Sequence, residues 1–180
     1  ARRKAHKVYW WHHGDKRPAL YNRIANYREV FVISRVTKYV SFVKVPAAQI
    51  FQESVVVFDI PNYACFAMLQ CSFHDIWVRR GSSTLGETLR YTPSDYFDTY
   101  PFSTFDNVGL NLIGEKCYYC RHKIMESRLE GLTATYNRFH DSEETSGDIH
   151  EFRDMHIEMD NAVATAYGWN DLDLGHGFHE

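Results

Sequence analysis

At 180 residues, with 44% hydrophobic and 16% aromatic content, the chain is long enough to bury a sizeable core in one domain or two small lobes, which excludes a disordered segment. No apolar run approaches the roughly 20 residues of a bilayer span, and no short apolar segment near Ala1 precedes a small-residue cleavage site, so a cytoplasmic protein without a membrane partner is expected. The net charge of -3 conceals segregation: residues 1–45 carry eleven Lys or Arg against Asp15 and Glu29, whereas residues 101–180 carry six against fifteen acids.

That imbalance points to an anionic partner for the N-terminal part, nucleic acid first and an acidic protein surface second. The competing explanation is solvated helix faces whose charges cancel in space. Beginning at Ala1 without a methionine and stopping after GHGFHE, the chain reads as a piece of something longer.

In chain order, residues 2–13 read as the end of a basic helix opposite Val8 and Trp11, stopped by Gly14. Pro18 suits the first turn of a second helix, residues 18–26, with Leu20, Tyr21 and Ile24 as its buried stripe. Three β-forming runs follow at residues 29–34, 38–45 and 54–60, and their short separations favour an antiparallel meander. Their near-continuous apolar character requires cover on both faces. Residues 62–80 then repeat Phe66, Leu69, Phe73, Ile76 and Trp77 at helical spacing opposite Ser72, Asp75 and Arg79, a single amphipathic helix with Asn62 as N-cap and Gly81 as a left-handed end. The small-residue run 81–86 and then Glu87, Arg90, Tyr91 and Thr92 put short polar groups on a tip. An aromatic clamp of Tyr91, Tyr96, Phe97, Tyr100 and Phe102 would hold that tip's far end, with Ser94 or Asp95 starting a short helix. This is a composition suited to reading a ligand.

The second half is helical. Ile113, Cys117, Cys120 and Ile124 mark one face, Gly131 breaks the chain before a short helix, and residues 141–147 form a solvated loop. Residues 148–167 repeat Ile149, Phe152, His156, Met159, Val163 and Ala166 at spacings of three and four, with a capping-box signature in Asp148 and Glu151 and Gly168 at the end. The fold class is therefore α+β: an antiparallel β meander packed with helices, followed by a helical lobe. Its divisions are a lead-in at 1–27, a recognition lobe at 28–105 and a helical lobe at 106–180.

Chemistry-bearing motifs are sparse. Cys117 and Cys120 lie inside a helical stripe instead of on a turn, and Cys65 and Cys71 lack ligand spacing, so four reduced buried thiols and no metal are expected. His156 falls on an apolar face and reads as a satisfied core histidine. There is no phosphate-binding glycine loop, nucleophile elbow or nuclease-like carboxylate set, so no residue is assigned a catalytic role.

The blocks WWHHGDKRPALY (residues 10–21), FAMLQCSFHDIWVRR, LRYTPSDYFDTYPF, GLTATYNRFHD (131–141) and MDNAVATAYGW (159–169) together resemble the target-recognition region of large bacterial DNA methyltransferases, especially the fused restriction and modification enzymes of the MmeI-like group. The resemblance implies double-stranded DNA as partner and S-adenosylmethionine as methyl donor in the parent enzyme. The family's Asn-Pro-Pro-aromatic motif and its glycine-rich cofactor motif are both missing from these residues. The chain then corresponds to the specificity part, without cofactor of its own. An upstream methyltransferase domain of the same parent would perform adenine-N6 methylation, with coupling to cleavage left open. Base contacts are expected from Ser82, Ser83, Thr84, Glu87 and Arg90, and phosphate contacts from Arg28, Arg35, Lys38, Lys44, Arg79 and Arg80. Against these stand an Arg90 paired with Asp95 or with a phosphate, a solvated Glu87 and an edge strand guarded by charge. The rival function is a protein-interaction module docking through its acidic helical half.

Overall fold

A computed structural model describes residues 17–60, 62–82, 84–85, 88–103 and 107–178. The helix expected at residues 2–13 lies outside them. Helix α1 (Pro18–Ile24) has proline in its first turn and buries Ile24, ending two residues earlier than expected.

Strand β1 (Glu29–Ser34) is central in a three-stranded antiparallel sheet of order β3-β1-β4, with β3 at Val43–Pro46 and β4 at Val55–Phe58. Val32 pairs with Val43 on one side and Val57 on the other. Val30 and Val32 pack with Ile24, Ala47 and Phe51, while Phe31 and Ile33 pack with Phe66 and Leu69. Both faces of β1 are thus covered, as its apolar run requires. The α+β class stands, and the pairing is antiparallel. The strand order differs from a meander, because β4 pairs with β1 instead of β3. A second antiparallel sheet, of order β2-β6-β5, is formed by β2 (Val36–Thr37), β6 (Thr88–Arg90) and β5 (Thr84–Leu85).

The run at residues 38–45 becomes strand only from Val43. Its earlier backbone groups are taken by side chains. Gln70 Oε1 accepts from Phe42 N (3.0 Å), Gln70 Nε2 donates to Val40 O (2.9 Å), and Arg121 Nη2 donates to Phe42 O (2.5 Å). Val40 and Phe42 are buried without a ladder, the Val40 carbonyl and both Phe42 backbone groups being satisfied by side chains instead.

The single helix expected at residues 62–80 is two. Helix α2 (Tyr63–Gln70) is capped by Asn62, whose side chain accepts from Cys65 N at 3.1 Å, and every one of its residues is buried. Cys71 is extended at ψ 163, after which α3 (Ser72–Gly81) starts on a new axis. The kink turns His74 and Val78 inward and leaves Ile76 and Trp77 exposed, so the expected stripe does not cross Cys71. Gly81 is not left-handed. It is small because a Cβ there would lie 2.9 Å from Tyr96 Cε1.

After the short helix α4 (Pro93–Tyr96), α5 (Val108–Arg128) is capped by Asn107 and packs across α2 at Gly114, where a Cβ would stand 2.2 Å from Tyr63 O. Leu129, left-handed at φ 53, ends it. Helices α6 (Leu132–Phe139) and α7 (Gly147–Ala166) complete a core in which Ile113, Cys117 and Ile124 meet Phe152, Met159 and Val163. The expected capping box is absent: Asp148 lies inside α7 and its carboxylate holds Arg128 Nε and Nη2 at 2.7 and 2.6 Å. Among the described residues no helix is long and apolar enough to cross a membrane.

Candidate nucleic-acid interface

The small sheet brings the two basic stretches of the sequence to one place. Arg35 precedes β2, and its carbonyl accepts from Tyr91 N (2.8 Å), just beyond β6. Val36 is in register with Arg90. From the other side, Ser82 at the end of α3 accepts from Arg90 N through its hydroxyl (3.2 Å), and Arg79 Nη2 donates to Lys38 O (3.4 Å). Arg35, Lys38, Arg79, Ser82 and Arg90, separated by up to 55 positions in the chain, therefore surround one two-residue strand. Arg80 is exposed beside Arg79 in the last turn of α3.

Their side chains differ in commitment. Arg35 Nε is tied to Glu53 O (3.0 Å), and Arg79 Nε donates to Asp75 within its own helix (2.6 Å). Arg90 is exposed and has no side-chain partner among the described residues, so the Arg90–Asp95 pair is not formed. Asp95 instead accepts from the Ser94 hydroxyl (2.9 Å). Thr84 is placed by its backbone in β5, opposite Leu89. Ser83 and Glu87 lie outside the described residues.

Arg28 and Lys44 are not part of this group. Arg28 precedes β1, where its carbonyl accepts from Ala47 N. Lys44 Nζ sits 4.0 Å from the Tyr63 ring centroid and 5.2 Å from that of Phe31, a cation held over two π faces. One exposed apolar residue was not foreseen: Val36, 61% exposed, stands opposite Arg90. A two-residue strand has no periodicity by which to mark it.

Beneath the sheet the support is aromatic and buried. Tyr91 is fully buried, its hydroxyl 3.0 Å from His74 Nε2, and the rings of Tyr96 and Tyr100 pack on this pair at 5.7 Å from Tyr91 and 4.6 Å from His74. Phe97 and Tyr100 meet Phe102 at 5.0 and 5.1 Å, which closes the expected clamp. Burial lowers the His74 pKa to about 3, so the ring is neutral and the cationic surface above it faces no buried positive charge there.

No known protein family and no curated protein sequence matches this chain. Solved structures do, among them one described as the Type IIL restriction-modification enzyme MmeI in complex with DNA, at a TM-score of 0.62 and 17% identity. The two share a fold. The likeness covers 79% of this chain and 19% of that one, so the present chain spans under a fifth of the MmeI chain's length.

A second concavity, a cleft of about 440 Å³, lies between α3, α6, α7 and residues 174–178. Asp160 inside it accepts from Ser72 N (2.9 Å) and contacts His176 Nε2 (3.1 Å), and burial raises its pKa. His156 on its wall packs against Phe139 and Phe152, each at 4.7 Å, but its Nε2 is buried without a partner, unlike the satisfied histidine expected. Among the described residues no group of three His, Cys, Asp or Glu is placed to hold a metal ion. Cys117 and Cys120 face the helical core, where burial pushes their thiols up to about 12 and about 11.

Proposed function

We propose that this chain is the target-recognition region of an S-adenosylmethionine-dependent adenine-N6 DNA methyltransferase, reading double-stranded DNA for a catalytic domain upstream in the same parent chain. Arg35, Lys38, Arg79 and Arg80 fix register on phosphates, with Arg28 and Lys44 as outlying contacts. Ser82, Ser83, Thr84, Glu87 and Arg90 face base edges. Arg90 can donate two hydrogen bonds to guanine and Glu87 can accept from a cytosine amino group, each discriminating bases by about 1–3 kcal/mol. The methyl donor would bind upstream, where an extruded adenine enters its pocket. Restriction activity of the parent is compatible with this arrangement.

The observation that carries this reading is the convergence of Arg35, Lys38, Arg79, Ser82 and Arg90 around β2 and β6. It occurs on a fold shared with a restriction-modification enzyme described in complex with DNA. Binding of the chain to mixed-sequence duplex, followed by fluorescence anisotropy across a salt series, tests it. Affinity falling by orders of magnitude as salt rises supports phosphate contact. Salt-insensitive or undetectable binding favours the rival, a protein-docking module. One feature favours the rival: α5 exposes Val108, Leu112 and Tyr119 to solvent, a surface suited to a protein neighbour.

A further inference from the structure

We infer that Val36 reads a thymine methyl group in the major groove, on the base pair next to the one that Arg90 contacts. This rests on the DNA reading above and adds an apolar, specificity-determining contact that the basic residues do not provide.

The pleat of the small sheet singles this residue out. Val36 is in register with Arg90 and Thr37 with Leu89, so the two pairs stand on opposite faces. Leu89 is buried and packs in the core with Phe58, Val78 and Tyr91, while the Thr37 hydroxyl donates to Tyr39 O (2.8 Å). The other face carries Val36 and Arg90, both exposed. A lone exposed valine is ordinary on a protein surface. This one lies between Arg35 and Lys38 in the chain and directly across the ladder from Arg90, so an anionic partner drawn to those cations would cover it.

Spacing decides what it meets. Side chains directly opposite in an antiparallel pair lie roughly 5 Å apart, comparable with the rise of about 3.4 Å between stacked base pairs. With the Arg90 guanidinium on the O6 and N7 of a guanine, the Val36 methyls fall on the neighbouring pair. Thymine alone among the four bases presents a methyl group on its major-groove edge. Val36 also has little freedom to lose on binding, being β-branched and stiff at χ1. Its strand is held by Tyr91 N on Arg35 O (2.8 Å) at one end and by Arg79 Nη2 on Lys38 O (3.4 Å) at the other.

The test removes the methyl from the DNA and then its partner from the protein. Duplexes selected from a randomised pool by the unaltered chain give the preferred sequence, and the same selection with Arg90→Ala marks the base pair that Arg90 reads. We expect an A·T pair beside it. Deoxyuridine in place of that thymine deletes the methyl alone, and affinity should fall about fourfold. Val36→Ser should keep the melting temperature, because the side chain is exposed, and should bind the thymine and deoxyuridine duplexes alike. Val36→Ile, which keeps the apolar contact, should retain the full difference. If the unaltered chain selects a motif but tolerates deoxyuridine at every thymine, or if folded Val36→Ser keeps the full penalty, the methyl contact is wrong and the DNA reading survives. A motif with no A·T pair beside the Arg90 position, or one that Arg90→Ala leaves unchanged, overturns the inference in the same way. If the unaltered chain selects no motif, the reading of DNA sequence fails and this inference with it.

Discussion

His74 and His156 are both held neutral, with pKa values lowered to about 3 chiefly by burial. In the unfolded chain each returns to the ordinary value near 6.5, so below that pH the unfolded state binds more protons than the folded one. Their contribution is intact above pH 6.5 and declines by about 1.4 kcal/mol per pH unit per histidine as pH falls toward 3. Asp148 and Glu144, held down by Arg128 and by Ser146 with Arg138 respectively, add acid sensitivity only below the usual carboxylate range. Urea denaturation from pH 7.5 to 5 should therefore show stability dropping before the carboxylates titrate. His156→Phe, placed among Phe139, Phe152 and Tyr136, should make that slope shallower, leaving the contributions of His74 and of His140, whose pKa burial also lowers. A flat profile between pH 7.5 and 5 would contradict the assignment. At Gly114, substitution by Ala drives a methyl into the Tyr63 carbonyl and should cost about 1–3 kcal/mol by the same assay.

Arg121 links elements that are far apart in sequence. It donates to Phe42 O, Gln70 Oε1 and the Tyr136 hydroxyl, and its guanidinium lies 5.4–5.9 Å from the rings of Phe66, Tyr118 and Tyr136. Arg121→Met should destabilise the protein by about 3 kcal/mol or more, because buried acceptors lose their donor. At the interface, replacing Arg35 and Lys38 together with Ala should weaken binding to all duplexes alike and flatten the salt slope. Unchanged affinity in the folded double variant would make these residues guards of a strand edge.

What local pattern governs was legible in the sequence. The stripes of α5 and α7, the Asn62 cap and the aromatic clamp each depend on residues within a few positions of one another. What distant groups decide was not. The break at Cys71 lets His74 reach Tyr91, residues 38–42 leave the sheet because Gln70 and Arg121 take their backbone groups, and Arg128 takes Asp148 from its expected capping role. The site shows the same division. Ser82 and Arg90 are eight positions apart and joined by a hydrogen bond, whereas joining them to Arg35 and Lys38 required β2, two residues long and without a periodic signal.

As a whole, the chain presents an exposed basic edge supported by a buried aromatic layer, with a helical core behind it. Incubated alone with labelled S-adenosylmethionine and mixed-sequence DNA, it should transfer no methyl group, since the Asn-Pro-Pro-aromatic and glycine-rich motifs of the methyltransferases it resembles are missing from these residues. The central claim is that this edge reads sequence as well as binding phosphate. Selection of duplexes from a randomised pool by the purified chain, with sequencing of the bound fraction, tests that claim most directly. The expected result is a short enriched motif whose preferred base changes at one or two positions for Glu87→Lys combined with Arg90→Asp. A bound fraction indistinguishable from the input pool, or a motif identical for the parent sequence and the folded double variant, would contradict it.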